Sequence, residues 1–230
     1  MNAVPGLLAQ SSLRDQLVSW SWISDRWDLV WEQTVEHLQL TVFAVAVGLV
    51  IATALSALAL WWRPLYPPIT WVTGLLYTIP SLALFSFLIP ILGLGFVTAE
   101  VALVSYTLLI LVRNIVTGID GVSPAVKEAA DGMGFTPVRR FVAVDLRLAT
   151  PTIIAGVRIA AVTVVGLVTV TALVGVGGYG VFILDGLRRD FSTPIVLGTV
   201  LSVVLAVAID LSLVLVERLL TPWSRRGPAA

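Results

Sequence analysis

Five stretches of the chain are long, apolar and almost free of charge. A bilayer crossing needs about 20 mainly apolar residues at 1.5 Å rise each, and the runs 38–60, 69–91, 97–119, 152–176 and 194–216 all meet that length. In hydrocarbon each backbone N–H and C=O must be satisfied within its own segment, so these runs are expected as helices and the chain as an all-α integral membrane protein, a five-span helical bundle. A mean hydropathy of +0.98, with 58% hydrophobic and 12% charged residues, argues against an ordinary soluble domain. The run 38–60 ends on Trp61, Trp62 and Arg63, aromatic and cationic anchors suited to a membrane interface. The run 69–91 holds Gly74, Pro80 and Pro90, so it is expected to bend and its freed carbonyls to find partners within the bundle.

Where the charges fall sets the expected orientation. With the 118–150 loop on the cytoplasmic side, alternation puts Arg63, Arg113, Lys127, Arg139, Arg140, Arg147, Arg158, Arg218, Arg225 and Arg226 on or near the inner face, and only Arg14, Arg26, Arg188 and Arg189 outside. This agrees with the excess of cations on cytoplasmic loops, so the N-terminus is expected outside and the C-terminus in the cytoplasm of a bacterial cell membrane. Lys+Arg and Asp+Glu balance at 14 each, which gives no basis for nucleic-acid binding. The chain has no cysteine and a single histidine, His37, so no metal site is expected; a lone histidine at the edge of a span reads as an interfacial side chain rather than a catalyst.

Residues 1–36 are expected to form an extracytoplasmic segment. Met1 to Ser12 lack the features of a signal peptide. From 13 to 35, Leu17, Trp20, Ile23, Trp27, Val30 and Trp31 recur at near-helical spacing opposite Asp15, Asp25, Asp28 and Glu32, the pattern of a helix lying at the interface. Residues 37–220 make the membrane domain, with 118–150 as its principal loop and 221–230 as a cytoplasmic tail.

The loop carries two helix-start signals. Ser123 before Pro124 opens a helix through Lys127, Glu128, Ala129, Ala130 and Asp131, which Gly132 and Gly134 stop; Thr136 before Pro137 opens a second through Arg139, Arg140 and Phe141. A helical hairpin with small residues, one free charge and a glycine turn suits docking by another protein. Glu128-Ala129-Ala130, three residues, then Gly134 resembles the EAA loop of binding-protein-dependent ABC importer permeases. Val144 and Leu146 continue that pattern, but Arg147 stands where the family usually has proline, with Pro151 slightly later, which puts the bend at the end of the loop in question. Thr78 to Phe85, Val112-Arg113-Asn114 and Gly175 to Gly180 are similar to the glycine betaine/carnitine/choline group of these permeases.

That resemblance implies a permease subunit moving a small compatible solute, a quaternary ammonium osmoprotectant, delivered by an extracytoplasmic solute-binding protein. It also implies two copies of an ATPase subunit docked on the hairpin through Lys127, Glu128, Ala129, Ala130, Asp131, Gly134 and Phe135, and a second permease chain, identical or a sister. This chain would itself be no enzyme and hold no cofactor, ATP being used by the partner; the absence of a Walker lysine motif agrees. The nearest alternative is a permease for another small solute such as an amino acid. A more distant one is an ion-coupled secondary transporter built on Arg158 and Asp210.

Three further features complete the reading. Gly175, Gly177 and Gly180 spell a dinucleotide fingerprint but follow a membrane helix rather than a strand, and are expected as a flexible outer loop. Tyr77, Pro80, Ser81 and Phe85 are candidate pathway residues, and Trp71 a further aromatic that either lines the pathway or faces lipid. Arg158 and Asp210 lie inside apolar runs, seven residues from Pro151 and Glu217 respectively, which sets both about 10 Å from their helix ends and predicts an intramembrane ion pair.

Overall fold

A computed structural model describes residues 18–225, and among these the chain is helical with no strand. In order come α1 (Trp20–Ser24), α2 (Trp27–Trp61), α3 (Tyr66–Thr78), α4 (Ser81–Leu92), α5 (Phe96–Asp120), α6 (Pro124–Gly132), α7 (Pro137–Arg140), α8 (Leu146–Val168), α9 (Gly180–Arg189) and α10 (Ser192–Leu220). Four uninterrupted helical stretches are long and apolar enough to cross a membrane: α2, α5, the run from α7 through α8, and α10. The fifth crossing is the pair α3 and α4, if its two halves count as one.

The interruption follows from Pro80. A residue before proline is pushed out of the helical region, and Ile79 takes φ −64°, ψ 126°. Its carbonyl, released from the helix ladder, accepts a hydrogen bond from the Tyr106 hydroxyl on α5. The run 69–91 is therefore broken, where a bend had been expected. Elsewhere threonines in the spans donate to the carbonyl one turn back, as Thr41 does to His37 and Thr163 to Ile159, so their hydroxyls carry no unsatisfied donor into hydrocarbon.

Several boundaries differ from expectation. The surface helix expected over 13–35 is not a separate element among the described residues: α1 is one short turn, Asp25 and Arg26 form a turn, and α2 begins at Trp27 and runs into the span without a break. Leu17 and Met1 to Ser12 lie outside the described residues, as do Arg14, Asp15 and Arg226. The polar residues at 32–37 that suggested a boundary are good enough helix formers to continue a helix already started, and several of them bond elsewhere in the chain. Span four ends at Val168 rather than 176; a 3₁₀ turn at Thr171–Val174 follows, then α9, which the sequence reading missed.

The chain divides into two compact units. One comprises residues up to 43 with 81–103 and 165–207. Its core is Val30, Tyr179 and Phe182, with Trp22, Leu197, Leu201 and Leu205 packed against them. Trp22 meets Phe182 and Phe191 edge-on, and the Ser19 amide donates to Thr193 Oγ1 at 2.9 Å. The other unit comprises 44–80, 104–164 and 208 onwards. Its core sets the small residues Ala52, Ala59 and Ala160 against Leu111, Val112, Ile115 and Val116. Small side chains let membrane helices approach closely: a Cβ on Gly48 would overlap Thr107, and one on Gly156 would overlap Asn114. No residue in the most apolar stretch of α10 is fully buried within the chain, so that stretch keeps part of its surface open along its length.

Candidate functional site

The hairpin is built by its own turn chemistry. α6 stops at Gly132, Met133 caps it, and Gly134 takes φ +81°. The Phe135 amide then reaches back to the Ala130 carbonyl at 3.1 Å and the Gly134 amide to Asp131 at 2.9 Å, the paired bonds of a Schellman motif. This gives the spacing of Ala130 and Gly134 a physical reason: the glycine must follow the third-last helical residue by four. Nothing lies within 4 Å of a Cβ built on Gly134, so its backbone angle, not crowding, calls for glycine there. On the other arm Thr136 caps α7 through the Arg139 amide, whereas Ser123 makes no such bond to α6.

Charges brace the two arms. Arg140 Nη1 lies 2.5 Å from Asp131 Oδ2, and Arg140 Nε is 3.8 Å from the buried Asp145. The Arg139 guanidinium stacks 4.5 Å over the Phe135 ring, and Lys127 Nζ reaches the Ile119 carbonyl at the end of α5. Ala130 faces inward, while Glu128 and Ala129 are exposed. Beside them Met133 is 70% and Val138 75% exposed, with Val142 also open. These side chains leave apolar surface exposed among charged neighbours, a feature of protein or membrane contact surfaces.

The second arm does not end in a bend at Arg147. α7 passes through one π-helical turn, Phe141–Asp145, directly into α8, and Pro151 sits within that helix. Arg147 instead places its guanidinium 5.2 Å from the ring centre of Trp223, beyond α10. The helix that carries span four thus starts at Leu146, within the 118–150 segment.

Arg158 and Asp210 come together: Nε to Oδ1 is 2.9 Å and Nη2 to Oδ2 is 3.1 Å, a two-pronged contact. Glu217, which the sequence reading used only as a depth marker, joins at 3.4 Å from Nη1. All three side chains remain about a third exposed within the chain. Glu100, in the other unit, is buried with neither carboxylate oxygen hydrogen-bonded.

The candidate pathway residues separate. Tyr77 is half-open and packs edge-on against Tyr106, Pro80 is exposed and Trp71 is 69% exposed; Ser81 is partly covered, and Phe85 is 1% exposed. Phe85 is buried within its unit. Leu84 is buried beside it, which fixes the start of α4 by packing.

Sequence reasoning missed the role of one face of α2. Gln33, Glu36 and His37, three and four residues apart, share a helix face and take three successive amides of the glycine segment: Glu36 Oε1 accepts from Gly177 at 2.9 Å, Gln33 Oε1 from Gly178 at 2.8 Å, and His37 Nδ1 from Tyr179 at 3.1 Å. His37 Nε2 is then left to donate to the Val165 carbonyl, 3.1 Å away. His37 is fully buried, not interfacial, and the glycine segment is fastened rather than loose. Its spacing from Gln33 was the available signal. His37→Ala would strand the Val165 carbonyl and the Tyr179 amide, at about 1–3 kcal/mol each. It is expected to lower the unfolding temperature of the purified protein by on the order of 10 °C, measured by tryptophan fluorescence; an unchanged midpoint would show the fastening to be dispensable.

Residues 44–222 match the family described as "Binding-protein-dependent transport system inner membrane component". The chain belongs to this permease family. It is 37% identical over 190 residues to the choline transport system permease protein OpuBB of Bacillus subtilis, covering 83% of this chain and 88% of that protein. It is 35% identical over 195 residues to the glycine betaine/carnitine/choline transport system permease protein OpuCB of the same organism, covering 85% and 90%. In fold the permease is similar to a chain of the inward-facing MetNI methionine ABC transporter, with a TM-score of 0.72 and 24% identity over 84% of this chain and 98% of that one. The permease is accordingly the membrane-spanning subunit of an ABC importer, a multi-pass protein of the bacterial inner membrane, and its family works with an ATPase and a substrate-binding protein.

Proposed function

We propose that this permease carries quaternary ammonium compatible solutes such as glycine betaine, choline and carnitine into the cell. The observation that carries the coupling half of the reading is the capped hairpin: a rigid glycine turn, Glu128 and Ala129 exposed, and an open apolar patch at Met133 and Val138. The solute class rests on the names of relatives that match over more than four-fifths of both chains. Two ATPase subunits would dock on two hairpins, one from each permease chain, and would supply all the ATP chemistry; this chain would bind no cofactor and no nucleic acid. The excess of cations at 113–147 supports a cytoplasmic hairpin, an outer N-terminus and an inner C-terminus. Alternating access would follow as closure of the ATPases moves the hairpins.

The test is uptake of labelled glycine betaine, choline and carnitine by proteoliposomes holding the complete transporter, the permease with its partner permease, ATPase and binding protein. Uptake is expected only with enclosed ATP and external binding protein, and labelled methionine should stay outside. Uptake by the permease alone under an ion gradient would overturn the importer reading, and transport of an amino acid in place of the onium solutes would overturn the substrate.

A further inference from the structure

The cluster at Arg158 has more acid than base and lies beside an open hollow. Asp210 and Glu217 are seven residues apart on α10, so two helical turns bring both to the same face. They meet a single guanidinium, whose better prongs are taken by Asp210 at 2.9 and 3.1 Å while Glu217 is held through one contact at 3.4 Å. Two carboxylates against one cation leave a formal excess of one negative charge, and Glu217 is the group less tightly committed.

Beside the cluster is a concavity of about 490 Å³ lined by Ala155, Arg158, Ile159, Val162, Thr163 and Asp210. The volume falls in the range of small-molecule sites, roughly 300–1,000 Å³. Four of these residues, Ala155, Arg158, Ile159 and Val162, recur at the three- and four-residue steps of one stripe of α8, so the hollow follows from the helix and not from a loop. Its wall is apolar except for Thr163 and the ion cluster. An ion pair left about a third exposed at membrane depth is unfavourable against lipid tails; charged groups there face a bundle interior or a water-filled cavity.

We infer that this hollow is a solute subsite on the translocation pathway, where the onium group of a passing solute rests against the Asp210 carboxylate while Glu217, held to Arg158 outside the lining, supplies the excess negative charge. The inference rests on the proposed function for its solute class. A methylated ammonium offers no N–H to donate, so it needs diffuse negative charge and apolar contact, and the hollow supplies both. Arg158 has two parts: it holds Asp210 in place, and it presents a cation to the carboxylate end of a zwitterion such as glycine betaine.

The chain contains no cysteine, so single probes can be placed without background on this subunit. Thr163→Cys and Ala155→Cys, each in the complete complex with ATPase and binding protein, would be exposed to a trimethylammonium methanethiosulfonate and to its sulfonate analogue, with and without nucleotide. Leu187→Cys on α9, well exposed, reports that the reagents are active. The cationic reagent is expected to react about tenfold faster than the anionic one at position 163. Added choline or glycine betaine should slow that reaction at least about threefold, and Glu217→Gln should bring the two reagents towards parity. No reaction at 155 or 163 in either nucleotide state, with Leu187→Cys reacting, would mean that lipid or protein covers the face and would overturn the site. Equal rates without solute protection would also overturn it. Uptake by the unmodified complex is followed in parallel: onium uptake together with either negative labelling result removes the subsite and leaves the permease's function standing. Absence of onium uptake removes the solute class itself.

Discussion

Arg158→Gln is expected to remove most of the correctly inserted permease, and Asp210→Asn to do much less. The asymmetry comes from the third partner. Without Arg158, the Asp210 and Glu217 carboxylates are left unpaired on one face of α10, and an unpaired charge within a span costs roughly 2.5–3.5 kcal/mol on the insertion scale. Without Asp210, the guanidinium still has Glu217, 3.4 Å away and closer to the end of α10. Membrane-extracted yield on a size-exclusion column is the readout, expected to fall on the order of a hundredfold for Arg158→Gln and only several-fold for Asp210→Asn. The double variant should recover most of the loss, since Glu217 alone can extend towards the interface. Equal effects of the two single changes, adding up in the double, would show that the residues do not act as a pair.

Glu128→Arg is expected to abolish ATP-driven uptake and leave insertion unchanged. Glu128 is exposed and makes no side-chain hydrogen bond or ion pair among the described residues, so the loss would be one of docking rather than folding. Gly134→Ala separates the two causes in the other direction. The new methyl would meet nothing within 4 Å, but an alanine at φ +81° costs about 1–2 kcal/mol, so the turn loosens while the docking face keeps its chemistry. Uptake in the proteoliposome assay should fall to background for Glu128→Arg and partially for Gly134→Ala, with equal amounts of permease in the membrane. Normal uptake by Glu128→Arg would remove the hairpin from the coupling argument.

What could be read from the residues was whatever depends on local periodicity and local capping. The apolar runs marked the spans, and Ser123-Pro124, Thr136-Pro137 and Gly134 marked the hairpin, because helix starts and stops are determined within a few residues. The depth argument for Arg158 and Asp210 also held enough information to bring them to the same level. Contacts made across the sequence were not legible. His37 meets Tyr179 across 142 positions, and its spacing from Gln33 marks a shared helix face without saying what that face meets. Phe85 and Tyr77 look alike as aromatic pathway candidates, yet one is buried and the other open, a difference set by packing alone. The missed α9 is short and mixed in polarity, and its glycine-rich approach read as loop.

The unbroken run from Pro137 to Val168 has a mechanical consequence. At 1.5 Å per residue its 32 residues amount to about 48 Å of helix, with the hairpin at its N-terminal end. A stiff shaft of that length would act as a lever: a tilt of about 10° at one end would sweep the other through about 8 Å. A proline at position 147 would remove one more ladder hydrogen bond close to the hairpin. With arginine there, the shaft's compliance is shared between the wide turn at Phe141–Asp145 and Pro151, one turn beyond Arg147.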